Sequence, residues 1–234
     1  MEQTFDINMG SSDSRMAAVE CAIIKIRNKI ILGEYPKKMS ITEAKLAEDC
    51  ALSRGSIRSA LSRLETEGLI TSKSNGRKEI SGVSMAYVRD LYDMRERFEQ
   101  LCIQTIMNRK TDSEYEYISG IVGPLSQLPS AEGQFMDLRA VADMNFHKTL
   151  IQISQNRILA ACWNVIGPVV WNLQSVNAIY GRTVGNYELH VAAEHNEIIK
   201  LLMNRDERIY PLMESHVRNA EKATVMLLSE KGII

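Results

Sequence analysis

Residues 41–69 read ITEAKLAEDCALSRGSIRSALSRLETEGL, and the spacing of their apolar positions decides the fold. Thr42 is placed to cap a helix over about Thr42–Cys50, and Ser53 a second helix over about Ser53–Gly68 that ends at glycine. Leu52, Ile57, Leu61 and Leu64 recur at helical spacing and are expected to face a core. Arg54, Ser56, Arg58, Ser59 and Arg63 are left outward, and Ser53 to Leu64 contains three arginines and no acid. Arginine near the start of such a helix can form paired hydrogen bonds to guanine or meet phosphate, and serine can bind either.

Upstream, a helix is expected over about Ser14–Leu32, with Ala18, Cys21, Ile24, Ile30 and Ile31 on its apolar face and Gly33 as its stop. Downstream, Leu69–Ser72 and Lys78–Ser81 read as short strands around Asn75-Gly76, a hairpin signal. Three helices followed by a small hairpin outline a winged helix-turn-helix, with Lys73, Arg77 and Lys78 flanking the wing tip. Charge agrees with this outline. The 234-residue chain has net charge −1, but Arg15–Gly82 holds 13 basic and 8 acidic residues, net +5, leaving net −6 elsewhere. Only the front of the chain is suited to a polyanion.

After Val83 the pattern is helical. Ser84 can cap a long helix to about Arg109 carrying Val88, Leu91, Met94, Phe98, Leu101 and Ile106. Further helices fit about Asp112–Leu128, Glu132–Ile153, Arg157–Tyr180, Asn186–Asn204 and Arg205–Ser229. The fold class is therefore mostly α: a winged helix-turn-helix over residues 1–82 and an all-α helical bundle over 83–234. Ile158–Gly181 has no charged residue, but Asn164, Pro168, Asn172, Gln174, Ser175 and Asn177 interrupt it, so it reads as a buried helix and not a membrane span. The polar, acidic start (Glu2, Asp6, Asp13) shows no secretory signal. The four cysteines, Cys21, Cys50, Cys102 and Cys162, form no CxxC pair, which fits a reducing cytoplasm.

All four histidines, His147, His190, His195 and His216, follow residue 146. Asp143 and His147 stand four apart in the helical run ADMNFHKTLI and project from one face. His195 and His216 lie on two later helices beside aliphatic stripes (Ile198, Leu202; Leu212, Met213). One carboxylate and three imidazoles from three helices would make a partly open site for a divalent metal ion such as Zn, Ni or Mn. Spacing alone leaves scattered surface or core histidines as the plainer alternative.

The run Ile41–Leu69 resembles the DNA-binding domain of GntR-family transcription regulators. Their pattern pairs an "LA" with a later "SR-x-x-(V/I)-R-x-AL-x-x-L-x-x-x-GL"; here these are Leu46-Ala47, Ser53-Arg54, Ile57-Arg58, Ala60-Leu61, Leu64 and Gly68-Leu69. The resemblance implies base and phosphate contacts from Arg54, Ser56 and Arg58 and a wing tip at Gly76; by position and charge, Lys45, Arg63 and Arg77 are further candidate DNA contacts. Ala51 and Lys38 stand where the pattern usually has glycine, and Ala44 where it is often basic. The back half resembles the FadR branch of that family, whose signature is "D-x-x-F-H" followed by two later histidines. Asp143, Phe146 and His147, with Asn156 nine residues on, match it, as do Glu194-His195 and Met213-x-x-His216. The resemblance implies Asp143, His147, His195 and His216 as metal ligands. Its "R-x-x-x-E" implies that Arg95, four residues before Glu99, faces an effector cavity and pairs a carboxylate. His190 has no counterpart.

Together these readings give a cytoplasmic regulator, not an enzyme, in which operator binding is controlled by a small organic-acid effector at a metal-containing pocket. Double-stranded operator DNA with paired half-sites calls for a homodimer, and no membrane partner is expected. The alternative is a metal-dependent hydrolase or lyase activity in the back domain. Against it, no general base is placed beyond the ligands.

Overall fold

The computed structural model describes residues 11–109, 136–180 and 187–234, with side chains described for 16–108, 143–177 and 193–234. The helix expected over about Asp112–Leu128 and the side chain of His190 lie outside the described residues. The chain divides into two compact units, Met1–Val83 and Ser84–Ile234.

The first unit runs α1 (Ser11–Ile31), β1 (Ser40–Ile41), α2 (Glu43–Cys50), α3 (Arg54–Thr66), β2 (Ile70–Ser72) and β3 (Lys78–Ile80). Both expected caps are in place: Thr42 Oγ1 accepts from the Lys45 N–H at 3.2 Å and Ser53 Oγ from the Ser56 N–H at 3.1 Å. The turn between α2 and α3 needs a left-handed residue, and Ala51 supplies it at φ 56°. Lys38 adopts φ 69° before β1, so both non-glycine departures occupy positions whose backbone favours glycine. The strands form an antiparallel sheet in the order β1-β3-β2, with Ile41 opposite Lys78 and Ile70 opposite Ile80. Strand β1 gives no sequence signal because it is two residues long.

Ile57, Leu61 and Leu64 of α3 are buried against a face of α1 formed by Ala22, Ile23, Ile26, Ile30 and Ile31. The expected α1 face was partly misplaced: Cys21 is exposed and Ala18 and Ile24 are half-buried. Arg27 is buried on the same face because Glu67, just after α3, takes it in two hydrogen bonds of 2.9 and 2.7 Å. The charge is therefore compensated inside the core.

The second unit comprises α4 (Met85–Arg109), α5 (Met136–Ile153), α6 (Arg157–Tyr180), α7 (Tyr187–Met203) and α8 (Ile209–Glu230). Helix α4 packs on α5, α6 and α8 and so runs through the middle of the bundle. Its buried face is Val88, Leu91, Tyr92, Arg95, Glu99, Cys102, Ile103 and Ile106. The expected apolar stripe was rotated from this: Met94 and Leu101 are 43% and 44% exposed. Asn156 Oδ1 accepts from the Leu159 N–H and so caps α6. No described helix is long and apolar enough to cross a membrane.

Candidate metal centre and nucleic-acid interface

Helix α5 presents Asp143 and His147 from one face, α7 presents His195 and α8 presents His216, and one potential ligand atom from each lies within 4.8 Å of the others. His216 Nε2 stands 3.2 Å from His147 Nε2 and 3.3 Å from His195 Nε2. Asp143 Oδ1 is 3.3 Å from His195 Nε2 and 3.6 Å from His147 Nε2. Donors placed about 2.1 Å from one ion stand about 3.0 to about 3.4 Å apart, between octahedral and tetrahedral angles. Three of these four separations fall in that range, and Asp143 Oδ1 to His147 Nε2, at 3.6 Å, lies just beyond it.

The other imidazole nitrogens fix which atoms face inward. His147 Nδ1 donates to Glu99 Oε2 at 2.8 Å, and His216 Nδ1 to Glu194 Oε2 at 2.8 Å. His216 Nε2 is then left with its lone pair turned toward the other potential ligands, whereas the lone pair of His147 Nε2 also faces Arg95 Nη2 at 2.7 Å. Asp143 Oδ2 is buried with no hydrogen-bond partner, a further lone pair without a donor. The residues fit a divalent cation on these grounds. Glu99 and Glu194 were not foreseen as imidazole partners. Glu194 adjoins His195 in sequence but reaches His216 on the next helix, a contact that local spacing does not encode.

Electrostatics favour ionised carboxylates and a neutral His195, whereas at His147 burial and Arg95 oppose the charge but Glu99 and Asp143 outweigh them and raise its pKa. Burial opposes ionisation of Glu99, but His147 and the Arg95 guanidinium outweigh it and hold its carboxyl at about 2. Burial likewise opposes the charge on Asp143, and His147 and His195 hold it well below the usual carboxylate range. Burial, with the neighbouring His147 and His216, pushes His195 down to about 4 against the pull of Asp143. His195 is therefore neutral near pH 7.

Arg95 is fully buried beside this set. Its Nε donates to Glu99 Oε1 at 2.9 Å and its Nη2 contacts His147 Nε2 at 2.7 Å, while Nη1 has no partner. It lines a cavity of about 10 Å³ together with Met144 and His147 of α5 and Trp163, Gly167, Val170, Trp171 and Gln174 of α6.

In the first unit Arg54 and Arg58 are exposed on α3, and Arg77 and Gly76, at φ 77°, are exposed at the wing tip. Arg58 is held in two hydrogen bonds of 2.9 Å by Glu43 of α2. Lys45 is exposed and pairs with Asp49, Lys73 pairs with Glu79, and Lys78 with Glu65. Two expectations change. Ser56 is only 3% exposed, its Oγ 2.9 Å from Ser53 Oγ, because it closes the cap of α3 and does not face outward. Arg63 is half-buried and turns toward Glu67 at 3.4 Å.

Comparison with known proteins agrees with both halves. Residues 20–79 match the gntR family of bacterial regulatory proteins, and residues 90–219 match the FCD domain. The Nta operon transcriptional regulator of Aminobacter aminovorans is 33% identical over 122 residues, covering 51% of this chain and 55% of that protein. The matched stretch thus spans about half the length of that relative. The gluconate operon transcriptional repressor of Bacillus licheniformis is 25% identical over 178 residues, 72% of each chain. The solved structure of Lar, described as controlling the Listeria monocytogenes agr system, superposes with TM-score 0.62 at 17% identity, covering 89% of this chain and 97% of that one. E. coli McbR/YncC superposes with TM-score 0.54 at 12% identity, over 92% and 98%. At such identities the two structures speak for the fold alone. With a winged helix-turn-helix in front and a matched FCD helical bundle behind, the chain belongs to the gntR family of bacterial regulatory proteins.

Proposed function

We propose that the protein is a cytoplasmic transcription regulator that binds operator DNA as a homodimer and is controlled by a small carboxylate effector at a metal-containing pocket. The observation that carries the reading is the convergence of Asp143, His147, His195 and His216 beside the buried Arg95. A divalent cation held there would supply positive charge and an open coordination position for a carboxylate oxygen. Arg95 would place its unpartnered Nη1 on the same carboxylate, a charge-assisted contact in a small buried cavity. The gluconate operon repressors among the relatives accord with an organic-acid effector, gluconate being a carboxylate. Arg54, Arg58 and Arg77 would carry the DNA contacts, assisted by Lys45 and the backbone at Gly76.

The test is binding to a duplex that the full-length protein selects from a random pool, followed by anisotropy at fixed salt. Affinity that changes when gluconate or another small acid is added together with Zn²⁺, Ni²⁺ or Mn²⁺ supports the reading. Affinity indifferent to every acid and metal contradicts it.

A further inference from the structure

Beyond Arg95, the cavity holds a second buried donor without an acceptor: Trp171 lines it, and its indole Nε1 has no hydrogen-bond partner. Trp163, Gly167, Val170, Trp171 and Gln174 recur on one face of α6, so a single helix supplies five of the eight lining residues. Gly167 is part of that design. A Cβ there would meet Trp163 Nε1 at 2.7 Å, so only glycine lets the Trp163 indole lie close over the helix. A buried N–H with no acceptor is costly, and native proteins keep few of them. Two such donors on one small cavity, Arg95 Nη1 and Trp171 Nε1, call for a ligand with an acceptor at each.

We infer that the α6 wall reads a second oxygen on the effector: a small acid whose carboxylate meets Arg95 and whose hydroxyl, keto or second carboxylate oxygen accepts the Trp171 indole N–H. This rests on the carboxylate reading above and adds a specificity determinant to it. Gln174 lines the same cavity, and its amide can donate to or accept from that group. An acid with only an apolar remainder leaves the Trp171 N–H unpaired and is discriminated against by roughly tenfold or more. The cavity of about 10 Å³ has room for about one water, so an acid of several carbons must move the wall. The chain has two tryptophans in all, and both line this cavity, so its intrinsic fluorescence reports that movement.

The experiment is calorimetric titration of the Zn²⁺-loaded full-length protein with two matched pairs, propionate against lactate and succinate against malate, with tryptophan fluorescence read in parallel. The inference expects lactate or malate to bind at least about ten times more tightly than its unsubstituted partner, with a fluorescence change on binding. Trp171→Phe, which keeps an aromatic ring and removes the N–H, is expected to abolish that preference, bringing the two members of each pair to equal affinity. Equal affinity within both pairs overturns the inference and leaves the carboxylate reading standing. A preference that survives in Trp171→Phe overturns the role of Trp171. Absence of binding by all four acids overturns the inference and the carboxylate reading together.

Discussion

His147 Nδ1 lies 2.8 Å from one oxygen of Glu99, and the other oxygen of the same carboxylate takes Arg95 Nε at 2.9 Å. One buried acid thereby orients a metal-ligand candidate and an effector-ligand candidate at once, from positions four residues apart on α4 and from α5.

Glu99→Gln tests that arrangement. The amide keeps the shape of the side chain but supplies only one acceptor oxygen, so it cannot take both N–H groups. Metal affinity measured by chelator competition is expected to fall roughly 10- to 100-fold, as when other imidazole partners are lost. Unchanged affinity would show that Glu99 serves the fold and not the site.

Arg58→Ala addresses the DNA contact. Its partner Glu43 is part of the exposed surface of α2 and α3, where an ion pair contributes little to stability. The melting temperature is expected to stay near that of the unsubstituted protein, while affinity for a selected duplex falls roughly ten- to a hundredfold. Equal affinity would remove Arg58 from the readout.

Arg27 makes the opposite prediction. It is 2% exposed and its two hydrogen bonds to Glu67 lie inside the α1–α3 core. Arg27→Ala leaves Glu67 buried with a weaker partner in Arg63 and is expected to cost about 3–5 kcal/mol in denaturant unfolding of the first unit. A loss under about 1 kcal/mol would mean that water reaches Glu67 and replaces the pair.

How far the sequence could be read depended on whether an interaction was local. The caps at Thr42 and Ser53, the α3 core positions and the Asn75-Gly76 turn are signals within a few residues, and the structure has them. The α4 face was misjudged because hydrophobic periodicity assumes that charges point outward. Here Arg95 and Glu99 point inward, since they compensate each other and His147. Ser56 looked like an outward contact by helical angle, but its hydroxyl is turned back to Ser53. The four residues of the metal set were named from a family resemblance, and spacing alone left them open. Their mutual distances come from the packing of α5, α7 and α8, which no local pattern carries.

Coupling between the units gives a further prediction. Only four residues separate the end of β3 at Ile80 from the start of α4 at Met85, and Ser84 Oγ accepts from the Tyr87 N–H to cap that helix. If the effector acts by biasing two arrangements of a dimer, it shifts DNA affinity by its differential affinity for them, typically about 1–3 kcal/mol. Inserting several Gly/Ser residues after Gly82 is expected to leave acid binding intact and erase its effect on DNA affinity. A full response in the lengthened protein would rule out transmission through this joint.

The most direct test of the account is the metal content of the full-length protein after dialysis against Zn²⁺, Ni²⁺ or Mn²⁺ and then dilute chelator, compared with His195→Ala. His195 is buried, contacts Asp143 and His216, and is neutral near pH 7. The account predicts one tightly held ion per chain in the unsubstituted protein. In the variant it predicts loss of that ion and of the response to acids, with DNA affinity in the absence of acid unchanged. Full metal retention by His195→Ala under the same chelator would contradict it.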